Sequence, residues 1–161
     1  AGVLLSAAGL GGCGFALRQA PKFAFESLRV AGLENSPMSR SLQQALVASG
    51  IQVVNTSAAA SPDPSQVVLH VIQDQHERVA SGQTETGEVR EMTLRARFRF
   101  RLTTAAGKYL IDDTELLLER DISFSETAAL AKAVEEGMMF RDMNGDIVQQ
   151  VLRRLAAVKT L

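Results

Sequence analysis

Met92-Thr93-Leu94-Arg95-Ala96-Arg97-Phe98-Arg99-Phe100-Arg101-Leu102-Thr103 alternates apolar and polar side chains without a break. Successive side chains of a strand point to opposite faces, so this pattern describes a strand with one face in a core and the other in water. Half-buried strands of this kind belong to antiparallel sheets; strands buried on both faces read as continuous apolar runs. Downstream, Ala105-Ala106-Gly107 has the length of a three-residue hairpin loop, with Gly107 at the left-handed position such loops need. Pairing Thr104 with Lys108 sets Leu102 opposite Leu110, Ala96 opposite Leu116 and Leu94 opposite Leu118 on the core face. On the other face the same register sets Arg99 opposite Asp113, Arg97 opposite Glu115 and Arg101 opposite Ile111. Its one conflict is Phe100, which faces Asp112.

Working backwards, Val67 to Val79 reads as the partner strand, apolar in its first half and polar from Gln73 onward, and Ala80 to Glu88 as the hairpin tip. Phe23 to Val30 reads as a first strand closed by Gly32. A helix follows, capped by Asn35 or Ser36, with Pro37 in its first turn, Leu42, Ala45 and Leu46 as its apolar stripe and Gly50 at its end. Ile51 to Val54 is a short strand and Asn55 to Gln66 an exposed loop. After Ile122 the chain turns helical, with Ser123 and Glu126 at capping-box spacing. Ile147, Val151 and Leu155, joined by Val148 and Leu152, form the apolar stripe of a long closing helix. Gly137 and Gly145 each cost about 1 kcal/mol in a helix interior, which predicts a break or kink near one of them. The order βαβ, three antiparallel strands, helix predicts an α+β fold: a single mixed, mainly antiparallel sheet of four to five strands, with two main helices packed on one face.

The 161 residues suffice for one domain, 46% apolar and 22% charged, and mean hydropathy near zero argues against a multi-span membrane protein. With 17 basic and 18 acidic residues the net charge is −1, so no global field draws the chain to nucleic acid. The single cysteine, Cys13, excludes an internal disulfide. Val3 to Leu10 is apolar and too short to span a bilayer, and Leu10-Gly11-Gly12-Cys13 resembles the bacterial lipobox. Residues 1–12 are therefore expected to be part of a signal peptide, entered after its basic region, and residues 13–161 a single periplasmic domain. Cys13 would be the lipidated first residue, its covalent lipid the only cofactor-like group. One acyl chain holds marginally and two or more hold stably, at about 0.8 kcal/mol per buried methylene. Gly14 follows, where inner-membrane lipoproteins often carry Asp, which points to the outer membrane. Gly9 to Gly14 also matches G-x-G-x-x-G, but Pro21 leaves no room for the helix a dinucleotide site requires.

Several short motifs together resemble the lipopolysaccharide-assembly lipoprotein family LptE: Cys13-Gly14-Phe15-Ala16-Leu17-Arg18, Pro37-Met38-Ser39-Arg40 with Leu46, Ser81-Gly82-Gln83-Thr84, Ala129-Leu130-Ala131-Lys132 followed by Met139, Met143 and Asp146-Ile147, and Gln150-Val151-Leu152-Arg153-Arg154-Leu155. The resemblance runs from Cys13 to about Leu155. It implies a non-enzymatic lipoprotein on the periplasmic face of the outer membrane, which plugs and helps assemble the β-barrel LptD and binds lipopolysaccharide on its way to the outer leaflet. It further implies two lipopolysaccharide-binding basic residues, one near the hairpin tip and one before the long helix. Lys132 matches the second. At the first this sequence has Ala80, and Arg78 two residues earlier is the basic side chain at hand.

Arg95, Arg97, Arg99 and Arg101 share one strand side, either as a surface for phosphate or barrel or as a solvated face partly paired with acids. His70, Asp74 and His76 read as sharing one strand face. His70 and Asp74 then lie about 13 Å apart along the strand, too far to ligate one ion, so no metal site is expected. Asp142 to Asp146 faintly resembles a calcium loop, but its glycine is misplaced and Arg153 stands where the closing Glu belongs. No nucleophile elbow, P-loop or zinc-peptidase helix is present, so no catalytic residue is assigned. The rival readings are a scaffold lipoprotein of another barrel machine and a periplasmic hydrolase built from scattered residues.

Overall fold

A computed structural model describes residues 21–55, 64–124 and 126–161, so residues 1–12 and Cys13 lie outside the described part. The elements are β1 (Ser27–Gly32), α1 (Pro37–Ala48), β2 (Gln52–Val53), β3 (Val67–Gln83), β4 (Val89–Thr104), β5 (Tyr109–Ser123), a 3-10 turn (Glu126–Ala128) and α2 (Ala129–Ala157). One five-stranded sheet has the order β2-β1-β3-β4-β5, with β1 parallel to both neighbours and the remaining pairs antiparallel. This is the α+β fold read from the alternation in β4.

The core lies between the sheet and the helices. Leu94, Ala96, Phe98, Phe100 and Leu102 of β4 are buried in one cluster with Met38, Leu42 and Leu46 of α1 and Met143, Ile147, Val151 and Leu155 of α2. Each fully buried side chain of this size stabilises the fold by roughly 1.5–3 kcal/mol. Helix α1 starts as its sequence dictates: the Ser39 amide donates to the Ser36 hydroxyl at 3.1 Å, and Pro37 fills the first helical position. Gly50 ends it with φ +87°.

Three local expectations are corrected. The Thr104 amide does donate to the Lys108 carbonyl at 2.8 Å, but β5 then carries two extra residues. Leu102 consequently faces Ile111 and Phe100 faces Thr114, so Asp112 never opposes Phe100. Two insertions together restore the parity of the strand, so side chains from Thr114 onward keep their faces, whereas Ile111 between them is set opposite core-facing Leu102 and packs against the core. Secondly, α2 runs without a break through Gly137 and Gly145. Its second half buries six side chains, from Met143 to Leu155, a gain that exceeds the cost of two glycines. Thirdly, Ser123 is the last residue of β5 and no side chain caps α2, whose preceding residue is Ala128.

Candidate functional site

Strand β3 sets the site through a bulge. Val67, Leu69 and Val71 point into the core; Ile72 is then an unpaired extra residue, and Gln73 resumes pairing opposite Arg99. After it, Asp74, His76 and Arg78 stand opposite the core-facing Phe98, Ala96 and Leu94, and therefore project toward the helices. His70 pairs with Arg101 and faces the other way. The expectation that His70, Asp74 and His76 share one face is thus wrong, because one inserted residue reverses the alternation. Among the described residues no three His, Cys, Asp or Glu side chains are placed to hold a metal.

Each of the three re-aimed side chains has a helical partner. Asp74 Oδ2 accepts from the Met38 amide at 3.2 Å, adding a carboxylate to the N-terminus of α1. His76 stacks on Phe140 with ring centroids 4.3 Å apart, and its Nε2 lies 2.9 Å from Asn144 Oδ1. Arg78 Nη1 lies 3.5 Å from Glu136 Oε2, with the arginine side chain 61% exposed. The first half of α2 thus adds polar contacts to an apolar junction in which Leu94 and Ile122 of the sheet are buried and Met139 and Phe140 of the helix are partly buried, its own fully buried side chains beginning at Met143.

Lys132 reaches back to the end of β5. Its Nζ donates to Ser123 Oγ at 3.0 Å and to Glu135 Oε2 at 2.7 Å, which leaves the side chain 21% exposed. Glu136, the partner of Arg78, stands one helical turn beyond Lys132 and on the same side of α2. The two basic residues singled out from the sequence therefore flank one stretch of helix, Arg78 from β3 and Lys132 from α2 itself. Both carry N–H donors of the kind that bind phosphate oxygens, and Arg78 is the more accessible. Opposite them, Leu130, Val134 and Met138 form an exposed apolar stripe at helical spacing.

On the outer sheet face the arginine row is largely neutralised. Arg95 Nε lies 2.6 Å from Glu119 Oε1, Arg97 Nη1 2.6 Å from Glu115 Oε1 and Arg99 Nη2 2.9 Å from Asp113 Oδ2. The pairs Arg97–Glu115 and Arg99–Asp113 form as read from the sequence, but diagonally, because the opposed residues are Leu117 and Glu115. His70 Nε2 lies 3.1 Å from Thr103 Oγ1. Burial holds the His70 pKa below its usual value, reinforced by the Arg101 and Arg29 guanidinium groups. Asp146, in the segment resembling a calcium loop, is helical and lies 3.5 Å from Arg120. Sequence reasoning had no signal for the Ile72 bulge, and so missed the pairing of Asp74, His76 and Arg78 with the helices.

No described helix is long and apolar enough to cross a membrane. No match is found among curated proteins. The fold is similar to that of uncharacterized lipoprotein B from Nitrosomonas europaea, at 30% identity and TM-score 0.73, covering 89% of this chain and 91% of that one. It is also similar to rare lipoprotein B from Shewanella oneidensis, at 20% identity and TM-score 0.65 over 81% and 94% of the two chains. A minor lipoprotein from Acinetobacter baumannii gives 20% identity and TM-score 0.64 over 84% and 94%. The last two likenesses speak for the fold alone. The model of the lipopolysaccharide-assembly family LptE matches residues 25–155, nearly the whole of the described sheet and both helices, and on that extent of match the chain belongs to the LptE family.

Proposed function

We propose that the chain acts in lipopolysaccharide assembly as a lipid-anchored, non-enzymatic plug of an LptD-type outer-membrane barrel, and that it contacts lipopolysaccharide through Lys132 with Arg78 beside it. Family membership supports the process. The observation that supports the residues is their placement: two cations from different elements flank the first half of α2, where the structure is held by polar contacts that a ligand can exchange. Lipid A phosphates are bridged by divalent cations in the membrane, and fixed Lys and Arg side chains compete with those ions.

Binding of purified lipopolysaccharide to the domain tests this. Lys132→Asp is expected to weaken binding about tenfold or more, the effect of losing a charge-assisted bond and adding a repulsive charge. Lys132→Gln, which keeps most of the side-chain stem, separates charge from packing and is expected to fall between. Unchanged binding in both variants removes Lys132 from the site. Co-isolation of the lipidated protein from outer membranes with an LptD-type barrel supports the plug; capture with a different barrel instead makes it a scaffold elsewhere. Mass spectrometry of native material that finds Cys13 bare and residues 1–12 retained overturns the anchor.

A further inference from the structure

The arginines of β4, together with Arg78, Arg120 and Lys132, each lie within 4.0 Å of a carboxylate oxygen. Lys108, Arg153, Arg154 and Lys159 have no such partner among the described residues, and all four are exposed. The fold gathers them. Lys108 sits in the β4–β5 turn, Arg153 and Arg154 in the last turns of α2, and Lys159 just beyond it. Lys108, Arg154 and Lys159 line one open hollow with Tyr109, Ile111 and Val158, and Arg153 borders the neighbouring one with Arg154. The α2 dipole favours a cation in its last turn, where Arg154 stands, but its influence ends within that turn and Lys108 belongs to another element.

Charge is polarised along the sheet. Strand β4 has 16 residues and spans about 50 Å from the β3–β4 hairpin to the β4–β5 turn. Between Gly82 and Met92 the hairpin carries Glu85, Glu88 and Glu91 with one cation, Arg90. At the turn the acids are fewer: Glu26 and Asp112 are exposed, and Asp113 is held by Arg99 at 2.9 Å. A chain of net charge −1 thus presents a locally positive end. The chain also enters the fold there. The Ala105 amide of the turn donates to the Gln66 carbonyl at 3.1 Å, and the Glu26 amide, just before β1, donates to Gln66 Oε1 at 2.6 Å. Cys13 and Pro21 are eight residues apart in sequence, a reach of at most about 28 Å. Tyr109, 55% exposed beside Lys108, has the apolar ring and polar tip that suit the headgroup level of a bilayer.

We propose that Lys108, Arg153, Arg154 and Lys159 form a docking face for a membrane surface that contains anionic phospholipid. Exposed and free of intramolecular acids, these cations offer N–H donors to phosphate oxygens, and each one within a Debye length of such a surface raises membrane affinity about fivefold. With acylation of Cys13, the reading on which the orientation rests, the face turns the β4–β5 end toward the headgroups. The hairpin tip, with Arg78 and Lys132, then points away from them. The docking face shares no side chain with the lipopolysaccharide contact proposed above, so the two stand or fall separately.

Cosedimentation with vesicles tests the face apart from the anchor. The chain from residue 13 onward, with Cys13→Ser so that it cannot be acylated, is mixed at about 0.1 M salt with phosphatidylcholine vesicles that contain or lack phosphatidylglycerol. Binding is expected only with phosphatidylglycerol, and to fall as salt is raised. The triple variant Lys108→Gln, Arg154→Gln, Lys159→Gln is expected to bind about a hundredfold more weakly, and Arg141→Gln less than about twofold. Arg141 is also exposed and without an acid partner among the described residues, but it stands thirteen residues from Arg154 along α2, about 20 Å and so beyond a Debye length. An unchanged urea midpoint reports that each variant is folded. Equal binding without phosphatidylglycerol, no binding at all, an unaffected triple variant or an equal loss in Arg141→Gln overturns the face. Mass spectrometry of native material judges the anchor separately. Bare Cys13 with phosphatidylglycerol binding intact removes the orientation and keeps the face; acylated Cys13 without vesicle binding removes the face and keeps the anchor.

Discussion

Gly32 shows how one residue governs the placement of several others. It closes β1 with φ +87°, and a Cβ built on it would collide with the Val71 carbonyl oxygen of β3. The Leu33 amide donates to that same oxygen at 3.3 Å, so the chain leaves β1 by passing close over β3, immediately before the Ile72 bulge. That bulge is what aims Asp74, His76 and Arg78 at the helices. Gly50 has the same φ but open space around its Cβ position, which makes it a matched control. Gly50→Ala is expected to cost about 1–2 kcal/mol, the backbone term alone, and Gly32→Ala about 2–4 kcal/mol, because the collision adds to it. Urea denaturation measures both; equal losses would show that the close approach at Val71 relaxes freely.

At the scale of elements, α2 carries two glycines that its continuity does not require. Nothing lies within 4 Å of a Cβ at Gly145, and only the Arg141 guanidinium end, at 3.8 Å, at Gly137. Both sit in an unbroken helix, so Gly145→Ala is expected to raise stability by about 1 kcal/mol, read as a higher urea midpoint with unchanged slope. A destabilised variant would mean that the helix bends there in solution. What the sequence disclosed about the elements follows the same logic of local signals. Strand β4 was legible because its alternation runs for twelve residues, and α1 because Ser36, Pro37 and Gly50 mark its ends. The β4–β5 register was partly legible: the opposition of Phe100 and Asp112 marked a fault, but nothing showed that two inserted residues cure it. The Ile72 bulge left no mark, since an apolar residue inside an apolar strand reads equally well on either face. Of the candidate site, Lys132 came from the resemblance, whereas its bonds to Ser123 and Glu135 depend on where β5 ends and α2 begins. Arg101 was already set apart in the sequence by facing Ile111 where Arg97 and Arg99 face acids, and in the structure its nearest carboxylate oxygen is 3.8 Å away.

Over the whole molecule, the two ends of the sheet are held by different forces. Toward one end, Val67, Leu69 and Val71 of β3, Phe98, Phe100 and Leu102 of β4 and the second half of α2 are buried together with α1. Toward the other, β4 and β5 still bury Leu94, Ala96 and Ile122, but β3 beyond Val71 and α2 before Met139 place no fully buried side chain in the core, and polar contacts of Arg78, His76 and Lys132 supplement the smaller apolar junction. Exposed polar contacts contribute about 0–1 kcal/mol each, against roughly 1.5–3 for each buried apolar side chain, so opening of the second end costs less than global unfolding. Amide hydrogen exchange should therefore be at least about tenfold faster in Gln73–Gln83 and residues 129–138 than in Val67–Val71 and Met143–Leu155. The loosely held end is also the one that carries Lys132, Arg78 and the exposed Leu130, Val134 and Met138. A partner that docks there supplies the missing apolar burial and slows exchange in those segments, with little effect on segments already protected by the core. Equal protection of both ends in the isolated protein would remove the mechanical difference on which that coupling depends.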